Sequence, residues 1–155
     1  MRSFCPIWIT ILTGVVALAA ASQVSEKFAG SWKLISFELT SPTGEVSYPL
    51  GRDAAGRITY DAAGRMSVQI TQPNRPKTGT PQQMFGPHGG YLAYYGAYVV
   101  DESRGVVIHK VEASLYPDYV GTNQERRYTF AGNRLTLEAE TPQLGHSKLI
   151  WERLP

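Results

Sequence analysis

Cysteine is almost missing from this chain: Cys5 is the single one among 155 residues. It stands before an apolar run and not at the end of one, so it cannot be the acylated residue of a processed lipoprotein. If that N-terminal run is removed, the mature chain keeps no thiol. Disulfides, thiol catalysis and thiolate metal ligation are then excluded together, and stability must come from the core. An excess of charge is lacking as well. The formal net charge is +2, with Lys and Arg scattered, which argues against a nucleic-acid track or an anionic-membrane patch. Low-complexity segments and repeats are absent. So are the Gly-x-Ser-x-Gly, phosphate-loop and His-Glu-x-x-His motifs and any dinucleotide fingerprint, and no cofactor is expected. The three histidines, His88, His109 and His146, lie far apart. A site joining His88 to His146 at one rim lacks a third ligand at useful spacing, so no metal is expected.

Residues 1–22 read as a signal peptide. Arg2 gives a positive start, Ile7 to Ala21 is apolar, and Ala19-Ala20-Ala21 fits a small-residue cleavage site. A signal anchor is the competing reading, but the run is shorter than the roughly 20 apolar residues of a spanning helix. The expectation is an exported protein, periplasmic or secreted, with one domain over residues 23–155 and no membrane insertion of the mature chain.

What is abundant favours strands. The chain has nine tyrosines, three tryptophans and 15 glycines, a composition suited to pleated surfaces joined by turns. Gly30-Ser31-Trp32 opens a strand that runs to Thr40. Glu45 to Tyr48 is a brief second strand, cut short by Pro49. Gly56 to Tyr60 and Arg65 to Thr71 form a hairpin about Asp61-Ala62-Ala63-Gly64, with Met66, Val68 and Ile70 on one face. Gln72 to Gly90, with four prolines and four glycines, is a long connection of the kind that forms lids or portals. Tyr91 to Tyr95 is expected to open with a helical turn before a strand from Ala97 to Asp101. Gly105 to Ser114, Gln124 to Phe130, Arg134 to Glu140 and Ser147 to Leu154 complete the pattern. Eight or nine antiparallel strands joined to their sequence neighbours predict an all-β, up-and-down barrel. A β-sandwich is the alternative arrangement.

Gly30-Ser31-Trp32 on the first strand with Arg153 on the last resembles the lipocalin superfamily. The segments Gly30 to Phe37, Tyr48-Pro49-Leu50-Gly51, Gly64 to Gln69, Gly90 to Tyr94, Val111 to Leu115 and Arg134 to Leu137 are similar to the small lipocalin-like domain family of bacteria and fungi. That resemblance implies a β-barrel with an internal cavity, in a family most of whose members have no assigned activity and some of which sit beside secondary-metabolite enzymes. The chain departs from typical secreted lipocalins in lacking their cysteines and a long C-terminal helix. Their ligands therefore do not carry over.

Parity selects the inward side chains. Val107, His109, Val111 and Ala113 share one face of their strand, and Gln124, Arg126, Tyr128 and Phe130 share one face of the next. With Tyr60, Tyr98 and Trp151 these form an aromatic cavity with a few polar groups, the composition of a small-molecule site. The candidate ligand-binding residues are Tyr60, Tyr98, His109, Gln124, Arg126, Tyr128 and Trp151. Gly30, Trp32 and Arg153 are structural candidates, with the guanidinium of Arg153 across the Trp32 indole. An inward Arg126 needs a carboxylate or a ligand anion, and Glu112 is the candidate partner through a local bulge. A histidine such as His109 is more often a core or rim residue satisfied by one hydrogen bond than a catalytic base. The functional expectation is a carrier or sequestering protein for a small, largely apolar molecule bearing an acidic or carbonyl group. The alternative is a cofactor-independent isomerase or cyclase using His109 with Glu112 or a tyrosine. A third reading is a filled barrel that binds a partner through the Gln72 to Gly90 connection.

Overall fold

The computed structural model describes residues 23–75, 89–141 and 145–155. The leader expected over residues 1–22, most of the connection between Gln72 and Gly90, and His88 lie outside these residues. Nine strands follow a helical turn over residues 23–28, here α1. They are β1 (Gly30–Thr40), β2 (Val46–Ser47), β3 (Ala55–Tyr60), β4 (Arg65–Thr71), β5 (Tyr91–Asp101), β6 (Val106–Ser114), β7 (Asn123–Ala131), β8 (Arg134–Thr141) and β9 (Gly145–Arg153). All neighbours are antiparallel, and β1 pairs with β9 from Trp32↔Arg153 to Thr40↔His146. The ring β1-β3-β4-β5-β6-β7-β8-β9 is thereby closed, which removes the free edges of a sandwich. The two-residue β2 is an appendage on the far half of β1.

Burial along the strands follows the expected alternation. Met66, Val68 and Ile70 of β4 are buried, as are Val107, His109 and Val111 of β6 and Leu135 and Leu137 of β8. The helical turn expected at Tyr91 to Tyr95 does not form. Those residues are the first half of β5 and pair with Arg65–Thr71 of β4. Tyr94 and Tyr98 point inward from the same face, so the aromatic residues follow the two-residue period of a strand. Two short helical pieces were not foreseen: α1, and a 3-10 turn at Pro117–Tyr119.

One end of the barrel is sealed. α1 lays Phe28, fully buried, into the ring. Its phenyl group meets Tyr60, Tyr128 and Phe130 edge-on at centroid distances of 5.2, 5.1 and 5.0 Å, a favoured geometry for aromatic pairs. The Trp32 indole N–H donates to the Phe28 carbonyl at 2.9 Å. The Arg153 guanidinium lies 4.1 Å from the Trp32 ring centroid and donates to the Ala29 carbonyl at 2.6 Å and to the Lys27 carbonyl. It thus occupies the carbonyls a short helix leaves unpaired at its end. Gly30 is required there, since its φ is +129° and a Cβ would stand 2.7 Å from Arg153 Nη1.

Trp32→Ala would open this seal and leave a large void. The expected loss is about 3 to 5 kcal/mol in urea unfolding, the range for removing a buried aromatic. A near-neutral result would show that the end is closed without the indole.

Candidate functional site

The other half of the barrel is hollow. A cavity of about 520 Å³ is lined by apolar side chains from around the ring, among them Phe37, Ile70, Leu92, Leu137 and Leu149. Its polar groups include Tyr94, His109, Gln124 and Arg126 on β5, β6 and β7, with Glu125, and Glu140, Thr141 and Ser147 on β8 and β9. The volume lies within the roughly 300 to 1,000 Å³ of small-molecule sites.

His109 is the pivot of the polar side. It is the only polar or charged residue among the buried ones described, and both ring nitrogens are engaged. Nε2 lies 2.8 Å from the Tyr60 hydroxyl, and Nδ1 lies 2.9 Å from the Tyr94 hydroxyl. Burial, reinforced by the nearby Arg126 charge, lowers the His109 pKa to about 3, so the imidazole is neutral. The same burial raises Tyr60 well above the ordinary phenol value, with Tyr94 adding to the shift and Arg126 opposing it. Tyr94 is also raised by burial, against the attraction of Arg126. Three neutral groups are therefore linked inside the barrel, Tyr60 to His109 to Tyr94.

Arg126 is half-buried. Its Nη1 donates to the Glu125 carbonyl at 2.9 Å and its Nη2 to Gln124 Oε1 at 3.3 Å. Among the described residues no carboxylate lies within ion-pair distance of it. The partner envisaged for it, Glu112, is on the outer face and exposed. A bulge does occur there, because Gly96 pairs with Val111 and Tyr95 with Ala113, but it leaves Glu112 in solvent. That placement also removes Glu112 as a helper of His109 in acid-base chemistry.

Of the seven candidate ligand-binding residues, His109, Gln124, Arg126 and Trp151 line the cavity. Tyr60, Tyr98 and Tyr128 do not. They belong to the sealed half, where Phe28 contacts all three rings and the Tyr98 hydroxyl donates to the Asp61 carbonyl at 2.9 Å. Parity showed that they point inward but carried no information about depth along the axis. Three aromatic lining residues were not among the candidates: Phe37 of β1, Tyr94, hidden by the expectation of a helical turn, and Tyr119 on the 3-10 turn, whose ring centroid is 6.0 Å from that of Tyr94. Alternation with Tyr98 and Gly96 was the signal for Tyr94. On the outer face, His146 pairs with Glu140 at 2.7 Å and Glu138 at 3.4 Å.

A model of the lipocalin-like domain matches residues 29–154. The chain belongs to the lipocalin-like domain family. This lipocalin-like protein is also similar to the 4'-hydroxy-3'-methoxypropiophenone carrier protein ppsC of Aspergillus oryzae, at 33% identity over 108 residues, covering 58% of this chain and 97% of that one. A closed barrel with a half-apolar cavity, similar to a protein named as a carrier, fits the binding of a hydrophobic small molecule.

The neutral His109 makes stability depend on pH. The folded protein refuses a proton until about pH 3, whereas the unfolded chain takes one near 6.5. Stability therefore falls as pH drops through 6.5, by up to about 1.4 kcal/mol per pH unit. Between pH 7 and pH 5 the wild-type protein should lose about 2 kcal/mol more than His109→Gln in denaturant unfolding. Equal losses would mean that the imidazole charges without unfolding.

Proposed function

We propose that this lipocalin-like protein is a carrier that encloses one small aromatic ketone or related carbonyl compound in the hollow half of its barrel. The observation that carries the reading is the cavity of about 520 Å³, apolar on most of its wall and polar along one side. The similarity to a protein named for carrying a methoxylated hydroxyphenyl ketone supports the same ligand class, since a flat ring suits the aliphatic wall and an oxygen suits the polar side. Chemistry on that ligand is less well supported. His109 has both nitrogens occupied and a strongly lowered pKa, and the described cavity lining offers it no carboxylate at hydrogen-bond distance.

The proposal includes export. Arg2 and the apolar run from Ile7 to Ala21 support removal of residues 1–22. N-terminal sequencing of the purified protein should read from near Ser22 or Gln23. An intact Met1 on protein recovered from membranes would overturn that part.

Native mass spectrometry of the purified protein, incubated with an extract of its own source, tests the carrier. A retained compound should be released unchanged. Release of an isomer, with conversion abolished in His109→Gln, would make the protein an enzyme instead. Arg126→Met separates ligand classes: acidic ligands should weaken by about 1.5 to 3 kcal/mol, whereas neutral ketones should be nearly unaffected.

A further inference from the structure

A neutral imidazole has one donor nitrogen and one acceptor nitrogen. In the Tyr60–His109–Tyr94 chain this forces an order on the protons. The Tyr60 hydroxyl is sealed beside Phe28, and among the described residues its only hydrogen-bond partner is His109 Nε2. Its proton must therefore go to Nε2, because the opposite arrangement would leave a buried O–H without an acceptor. Nε2 is then the acceptor and Nδ1 carries the hydrogen. Nδ1–H donates to the Tyr94 oxygen, which leaves the proton of Tyr94 to find an acceptor elsewhere. Tyr94 lines the cavity; beside His109 Nδ1 its hydroxyl meets only the Arg126 guanidinium among the described residues, which is a donor and cannot take that proton.

A second unpaired donor belongs to a residue of the same cavity wall. Among the described residues three buried polar side-chain atoms lack a partner: Ser36 Oγ, Arg75 Nε and Trp151 Nε1. Of these residues only Trp151 lines the cavity, and it is 1% exposed. An indole N–H can only donate. Arg126, also on the wall, can only donate too. The wall thus carries donor groups on Tyr94, Trp151 and Arg126 beside the acceptor oxygens of Gln124, Glu125 and Glu140; Arg126 is already engaged by Gln124 and Glu125, whereas a buried donor left unmatched is unfavourable.

We infer that the cavity selects for ligands presenting an acceptor oxygen, a ketone or similar carbonyl, which receives the Tyr94 hydroxyl hydrogen, and that Tyr60 positions that hydrogen from the sealed half by fixing the His109 tautomer. Tyr94 is then the residue that reads the ligand. Tyr60 is a positioning residue that never touches it. The ligand part deepens the carrier reading and rests on it, whereas the tautomer does not.

The test therefore has two arms. In ¹⁵N-histidine-labelled protein without ligand at pH 7, the His109 resonances should show a protonated Nδ1 and an unprotonated Nε2. The reverse tautomer, or an imidazolium, overturns the inference whatever the protein carries. In the second arm, calorimetry compares 4'-hydroxy-3'-methoxypropiophenone with 2-methoxy-4-propylphenol, which differs in having CH2 in place of the carbonyl. The wild-type protein should prefer the ketone by about 3- to 10-fold, the worth of a neutral hydrogen bond. Tyr94→Phe should abolish the preference. Tyr60→Phe should reduce it although its ring is outside the cavity, because Nδ1 becomes free to take the Tyr94 proton. The carbonyl stretch of the bound ketone should be lowered in the wild type and restored in Tyr94→Phe, which a merely structural tyrosine would not do. Equal binding of both probes by the wild type overturns selection for the carbonyl and leaves the carrier standing. An unchanged preference in Tyr60→Phe overturns the positioning role. Binding of neither probe overturns the ketone claim together with the aromatic-ketone carrier.

Discussion

An eight-stranded ring has two mouths, and what this protein does with one of them decides what the other can do. The latch is Arg153, whose guanidinium stacks on Trp32 and holds the carbonyls of Lys27 and Ala29. It joins the last strand to the segment before the first, so the two ends of the domain close the same mouth. Desolvation of the guanidinium is offset by the ring face and by carbonyls that would otherwise be unpaired. With Phe28 fixed beneath it, the lower barrel fills with aromatic rings. Only the upper half can remain hollow, and it is blind at its floor.

His109 stands at the boundary between the filled and hollow halves. A buried polar group of this kind would be unfavourable alone, but each of its nitrogens has a hydroxyl partner. The arrangement ties a tyrosine of the filled half to a tyrosine of the cavity wall. It also keeps the interior uncharged there, leaving Arg126 as the cation of the polar side. Among the described residues both partners of His109 are tyrosines, and the carboxylate nearest in sequence, Glu112, is exposed at its bulge.

The barrel was legible because alternation is strict where one face is buried: Met66, Val68 and Ile70, or Val107, His109 and Val111, admit only one register. The site was legible in direction and not in depth. Period two says whether Tyr60, Tyr98 and Tyr128 face inward, but whether they meet a plug or a hollow depends on Phe28, which lies outside the strands. Val24 and Phe28 have the spacing of one helical face, yet they stand just after a segment read as a leader, where a folded turn was not sought. At Tyr91 to Tyr95 the error ran the other way. The expected helical turn gives way to a strand, because aromatic residues fit a pleated surface better.

The pairing of β1 has a mechanical consequence. β3 follows it only from Gly30↔Tyr60 to Lys33↔Arg57, and the next strand on that side, β2, joins it only at Leu39 and Thr40. Between these two ladders the wall is completed by packing, with the exposed Pro49 at the cavity and Leu50 buried, and not by a continuous row of backbone bonds. Everywhere else around the ring, widening the barrel means breaking a ladder of five or more paired residues. The wall is therefore most compliant at this seam, which gives an otherwise stiff cylinder one place to flex beside its hollow without unzipping a strand.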